Sequence, residues 1–206
     1  MPFPHVPCVP YTELREHIQS GDILLCSGSA VFSKLIQHAT NSVWSHTGFL
    51  LRVENIDRIL VLESVESIGV RTVPLSHYCL AYNGTETGYP GKVYIARHQV
   101  FSTTDAAQLV HFSQGAVDLF GYPYDPKEIL ATAARIVAAK LGMAPEPFVR
   151  NRVYICSEYV FECLNSIGIT IPYNRAGYIT PDDIATCIDV QVLWEIAIKE
   201  TDTPSA

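Results

Sequence analysis

Apolar positions along the chain alternate between helical and strand periods, and the changes of period divide it into elements. Leu14 and Ile18 stand four apart after Thr12, a residue suited to capping, and Gly21 follows; this predicts a short helix over 11–20. Residues 22–26 read as a short buried strand. Ser27-Gly28-Ser29 opens a second helix with the stripe Val31, Phe32, Leu35, Ile36 and Ala39. Residues 43–53 and 58–65 have strand composition, and the polar residues 54–57 between them predict a hairpin. Residues 69–74 and 92–97 read as further strands, separated by a Gly/Asn/Pro-rich loop around 83–91.

In the second half, Thr104 or Asp105 can cap a helix running to about residue 120, and 121–126 is a turn cluster. Residues 127–141 are Ala-rich and helical, with Ile129, Ala133, Ile136 and Leu141 as apolar positions; 143–150 is a proline-broken loop. An apolar run from Val153 then passes through Cys156-Ser157-Glu158. It continues at helical spacing through Tyr159, Val160, Cys163, Leu164 and Ile167 to a stop at Gly168. Thr180 and Pro181 repeat helix-start chemistry, and 191–198 has strand or helix character. Residues 1–11 read as a proline-stiffened extended arm and 201–206 as a frayed tail. With no internal repeat and no low-complexity linker, the expectation is one α+β domain over 1–206, an antiparallel sheet packed against helices.

Composition narrows the function classes. With 206 residues, 48% hydrophobic and 17% charged, the chain has a substantial core to bury. A formal charge of −7 with scattered Lys and Arg argues against nucleic acid. The first ten residues lack a basic-then-apolar pattern, and no apolar run approaches a membrane span. Six cysteines without a CxxC spacing read as reduced thiols, which leads to the expectation of a cytoplasmic protein. No His/Cys/carboxylate group has zinc-site spacing and there is no phosphate-binding glycine loop, so neither metal nor cofactor is expected.

Cys156 falls where an apolar run gives way to the first turn of an amphipathic helix. Unpaired amides and the positive end of the helix dipole there favour a thiolate; the plainer alternative is a small core residue. A nucleophile needs a base, and the base an orienting group. Among seven histidines, His46 differs because it starts an apolar strand amid Ser45, Thr47 and Gly48. If the hairpin turns about Glu54-Asn55, His46 lies opposite Glu63; if the loop is 54–57, Gly48 opposes Glu63 and His46 is its diagonal neighbour. Either register puts His46 and Glu63 on one face, and a one-residue slip separates them. Glu63 is set among Leu60, Val61 and Leu62, where an unpaired carboxylate is costly and an imidazole partner removes that cost.

Gly21-Asp22-Ile23-Leu24, Ser45-His46-Thr47-Gly48, Val61-Leu62-Glu63-Ser64 and Tyr154-Ile155-Cys156-Ser157-Glu158, in that order, resemble the permuted papain-like members of the NlpC superfamily. The nearest look is the YaeF/YiiX group; the lecithin:retinol acyltransferase type is a more distant relative. In ordinary NlpC-type peptidases the cysteine precedes the Gly-Asp strand and the histidine, whereas here it follows them. Tyr122-Pro123-Tyr124-Asp125 and Thr180-Pro181-Asp182-Asp183 also look like that group, so the likeness covers roughly 20–185. It implies a circularly permuted papain-like fold and a thiol-dependent hydrolase cleaving a peptide or N-acyl amide. Cys156 would be the nucleophile, His46 the general base and acid, and Glu63 the orienting residue, with Glu66 three residues on as its rival. Tyr124 and Ser45 are candidate substrate contacts; Asp22 is taken as structural and Glu158 as a first-turn partner of its own helix. Two alternatives stand beside this: an acyltransferase or thioesterase acting on acyl esters, and a non-catalytic binding module. The substrate is a small molecule, peptide or acyl compound; oligomeric state is not legible.

Overall fold

The computed structural model describes residues 2–66, 68–102, 105–123, 138, 155–172 and 179–198. The expected helix over 127–141 and the loop 143–150, apart from the lone residue 138, lie outside these, as does the tail 201–206. Among the described residues seven strands form one sheet: β1 (Cys8–Pro10), β2 (Ile23–Gly28), β3 (His46–Val53), β4 (Arg58–Val65), β5 (Gly69–Pro74), β6 (Gly91–His98) and β7 (Val190–Ala197), in the order β1-β7-β6-β2-β3-β4-β5. All pairs are antiparallel except β1 on β7. The sheet is therefore mixed rather than wholly antiparallel: the tip of the N-terminal arm, expected as free extended chain, pairs with β7 through Cys8↔Glu195.

The helices are α1 (Tyr11–Leu14), α2 (Val31–Thr40), α3 (Leu75–Leu80), α4 (Ala106–Asp118), α5 (Cys156–Ser166) and α6 (Pro181–Ala185). Asp105 caps α4, accepting from Gln108 N, and Thr180 caps α6 with Pro181 in its first turn, as the sequence predicts. Gly168 follows α5 with φ +80, the left-handed conformation that ends a helix cheaply only at glycine. Three elements depart from expectation. α1 is one turn rather than ten residues, α2 starts three residues late because Gly28 completes β2, and α3 occupies a stretch for which no element was expected. In α3 only Leu75, Tyr78 and Cys79 are buried, too short a run for periodicity to reveal.

Alternation along the strands divides the core. Ile23, Leu25, Phe49, Leu62 and Tyr94 face α5, whose Tyr159, Val160, Cys163 and Leu164 complete that cluster. Leu24, Cys26, Leu50, Val61 and Val93 face the other way, against Leu14, Leu75 and Tyr78. Across the strand ends, buried Asp22 accepts from Arg97 Nε at 2.6 Å and Nη2 at 2.8 Å, and from Gln19 N at 2.8 Å. This carboxylate fixes the entry to β2, which is the structural role anticipated for it. Asp22→Ala removes one partner of a largely buried pair and is expected to lower unfolding stability by about 3 kcal/mol, measured by urea denaturation.

Candidate active site

Ile155 is extended (φ −75, ψ 163) and Cys156 begins α5. The first turn is tied down by two side chains: Glu158 Oε2 accepts from Ile155 N at 3.3 Å, and Ser157 Oγ donates to Ile179 O at 2.7 Å. The leading amides of a helix have no carbonyl of their own, so this turn presents donors beside the sulfur. Cys156 is buried but borders a cavity of about 810 Å³, whose walls include Phe32, Ile36, Ser45, His46, Arg71 and Tyr89.

The β3–β4 register pairs Phe49 with Leu62, which sets Gly48 against Glu63 and His46 on the diagonal. This is the second of the two registers considered from sequence. A Cβ on Gly48 would sit 2.8 Å from Leu62 O and 3.2 Å from Glu63 Cβ, so glycine opens the diagonal path. Along it His46 Nε2 meets Glu63 Oε2 at 2.7 Å. With Nε2 committed to the carboxylate, Nδ1 is the ring nitrogen left to face Cys156, with which the imidazole interacts. Alternation puts His46 and Glu63 on the face away from α5. Sulfur and imidazole meet because His46 is the first residue of β3, at the end of the sheet where α5 begins.

Glu63 has no solvent exposure. Burial by itself raises its pKa, yet His46, Arg71 and Tyr78 together hold the carboxyl below its ordinary value. For His46, burial by itself lowers the pKa; the interactions with Cys156 and Glu63 outweigh it and push the imidazole up to about 10. Other thiols are silenced by burial: Cys26 is held well above the ordinary thiol value, and Cys79 and Cys163 are pushed to about 12.

Cys156, His46 and Glu63, far apart in the chain, thus come together. Glu66 is exposed on the cavity wall and does not replace Glu63. Ser45 lines the cavity, but its hydroxyl accepts from Gly28 N at 2.9 Å and donates to Cys26 O at 3.2 Å, which shapes the β2–β3 end. Tyr124 lies outside the described residues. Two residues that sequence reasoning passed over also reach Glu63. Arg71 Nε donates to Oε1 at 2.9 Å from β5, and the Tyr78 hydroxyl donates to Oε2 from α3. Arg71 was legible in principle, since a β4–β5 hairpin turning about position 67 pairs it with Glu63, as the register does. Tyr78 carried no signal, because α3 itself was not recognised.

A helix-borne cysteine facing a strand-borne histidine, with helices on a mainly antiparallel sheet, defines a papain-like α+β protein. The chain belongs to the permuted papain-like amidase family, YaeF/YiiX, C92, whose model matches residues 17–176. Among solved structures it is similar to the metalloprotein yiiX from Escherichia coli O157:H7, with a TM-score of 0.61 and 20% identity over 85% of this chain and 96% of that one. That likeness establishes the fold. No curated protein matches the chain. Among the described residues no helix is long and apolar enough to cross a membrane.

Proposed function

We propose that this protein is a cysteine hydrolase that cleaves an amide bond, in a peptide or an N-acyl compound, through Cys156, His46 and Glu63. The observation that carries the reading is the Cys156–His46–Glu63 relay at the wall of the cavity. The sulfur gives its proton to His46 and attacks the acyl carbonyl, the carbonyl electron pair moves to oxygen, and amides of the first turn of α5, Cys156 N–H among them, donate to that oxyanion. Collapse of the tetrahedral intermediate breaks the C–N bond as His46 gives its proton to the leaving nitrogen, and a thioester remains on Cys156. Water then adds to the thioester while His46 takes its proton; collapse of this second intermediate breaks the C–S bond, releases the acid and returns the proton from His46 to the sulfur. Glu63 holds the ring so that Nδ1 faces the sulfur throughout.

The apolar wall formed by Phe32, Ile36, Val65 and Ile68 favours a second reading, in which the acyl group is a hydrocarbon chain and the bond an ester or thioester. Incubation with short peptides, N-acyl amides and acyl esters, followed by mass spectrometry of the intact protein, separates the two. An acyl adduct on Cys156 from amide substrates supports the first reading. Adducts from esters alone replace it with the second, and no adduct from any class removes both.

The neighbour's description as a metalloprotein prompts a test of this chain's own donors. Among the described residues, His98, Cys187 and Asp189 bring one ligand atom each within 4.8 Å of one another. They come from two separate segments, which linear spacing conceals. His98 Nδ1 accepts from Val100 N at 3.2 Å, so the neutral ring carries its proton on Nε2 and lacks a free lone pair for an ion. His98 also lies five residues along β6 from Val93, the partner of Cys26, or about 17 Å from the catalytic end of the sheet. The set does not fit a resident ion.

The pH dependence follows from His46. Proton donation to the leaving group needs the imidazolium, which persists until pH passes about 10. Hydrolysis is therefore expected to hold through neutral and mildly alkaline pH and to fall as pH rises through about 10. A kcat–pH profile checks it; an alkaline limb near the ordinary histidine value would contradict the coupling.

A further inference from the structure

Glu63 is more heavily used than an orienting carboxylate needs to be. An ionised carboxylate has about four acceptor positions. Here Oε1 accepts from Arg71 Nε at 2.9 Å, with Nη2 of the same guanidinium 2.9 Å away in the ion pair, and Oε2 takes His46 Nε2 at 2.7 Å and the Tyr78 hydroxyl. Both oxygens are engaged, by three hydrogen bonds from three different elements: β3, β5 and α3. The donors also form an ordered line across adjacent strands. His46 on β3 and Arg71 on β5 flank Glu63 on β4, and Tyr78 closes the carboxylate from the helix packed on that face. A carboxylate bonded to His46 alone could turn about its last C–C bond, carrying the ring with it. One held at both oxygens cannot.

We propose that Arg71 and Tyr78 are positioning residues for the reaction, acting only through Glu63. In this scheme Arg71 supplies the charge that keeps the carboxylate ionised, and Tyr78 fixes the carboxylate plane so that His46 Nδ1 stays aimed at the Cys156 sulfur. The inference rests on the reading of Cys156, His46 and Glu63 given above. The two residues divide the work because their chemistry differs. The guanidinium is permanently charged and grips a carboxylate as a fork. The phenol is neutral and directional, and burial together with the Glu63 charge holds its own pKa well above the ordinary tyrosine value, so it stays an O–H donor. Arg71 also borders the catalytic cavity with a side chain 17% exposed, whereas Tyr78 is fully buried. A structural role for both in the β4–β5–α3 packing predicts lost stability but no change in how His46 titrates.

Two readouts that need no known substrate test this: NMR titration of the His46 ring in 13C-histidine-labelled protein, and the rate of Cys156 alkylation by iodoacetamide at neutral pH, followed by peptide mass spectrometry. Arg71→Gln is expected to shift the His46 midpoint by about one pH unit or more, and Arg71→Lys to restore most of it. Tyr78→Phe is expected to leave the midpoint near wild type while slowing Cys156 alkylation about three- to tenfold. Wild-type titration in folded Arg71→Gln together with wild-type alkylation in folded Tyr78→Phe would overturn the proposal. Should Arg71→Gln fail to fold, Tyr78→Phe decides: slowed Cys156 alkylation supports the proposal and a wild-type rate overturns it. If wild-type Cys156 is no more reactive than exposed Cys8, or is indifferent to His46→Ala, the reading of the site fails first and takes this inference with it.

Discussion

Cys156→Ala is expected to abolish hydrolysis, with kcat/KM falling roughly 10⁴-fold or more, and to leave the fold intact. The magnitude follows from what the thiol does. Without it no thioester forms, and the oxyanion donors of α5 and the cavity can only bind substrate. The fold should survive because removing one sulfur beside the cavity leaves the apolar contacts of Tyr159, Val160, Cys163 and Leu164 in place. The variant should lose every acyl adduct seen by mass spectrometry in the wild type. In the wild type, iodoacetamide should mark Cys156 well ahead of Cys26, Cys79 and Cys163, whose thiols burial keeps protonated. Exposed Cys8 and partly exposed Cys187 are the internal standards for ordinary reactivity. Turnover retained by Cys156→Ala would end the cysteine-hydrolase reading.

Glu63→Gln is the second large effect, and it acts on stability and activity together. The side chain keeps its shape but loses its charge, and its new NH2 group faces donors, so Arg71 is left without its carboxylate in a site with no solvent beside Glu63. Breaking such a pair from one side costs about 3–5 kcal/mol of stability. Activity should drop about 10²- to 10⁴-fold, because the imidazole loses both its orienting bond and the charge that favours its protonated form. The pH signs are opposite for the two partners. Glu63 is held below its ordinary pKa, so its contribution to stability is present above the carboxylate range and is lost as pH falls through the depressed value. His46 is held above its ordinary pKa, so its contribution is full below the unfolded histidine value and is lost as pH rises toward about 10. Urea melts of wild type and variant across pH separate them: the difference should be largest between those limits and shrink at either end. A constant difference at every pH would refute the linkage.

How much could be read from the residues depended on the range of the interaction that fixes each element. Thr180-Pro181 and Asp105 with Gln108 set helix starts through bonds spanning three residues, and Gly168 ends α5 for a reason contained in its own φ. These were legible. β1 was not, because nothing in Cys8–Pro10 shows that a strand some 190 positions later will accept it in parallel. Nor was α1's brevity, since Leu14 and Ile18 are both buried, as a longer helix requires, yet the chain turns after Leu14.

The sequence by itself determined the hairpin that brings His46 and Glu63 to one face, the cysteine at a helix start, and the order of segments typical of the permuted family. Each is local patterning, or a pairing between neighbours along the chain. The tertiary structure alone decided that α5 would start at the β3 end of the sheet, and that Arg71 and Tyr78 would join His46 on Glu63. It also decided that Ser45 would spend its hydroxyl on the backbone. Those outcomes depend on how a twisted sheet stacks its layers and on which buried polar group finds which donor. Such a competition is settled only when the whole core closes, because a carboxylate in an apolar face takes its partners from whatever elements the packing brings within about 3 Å.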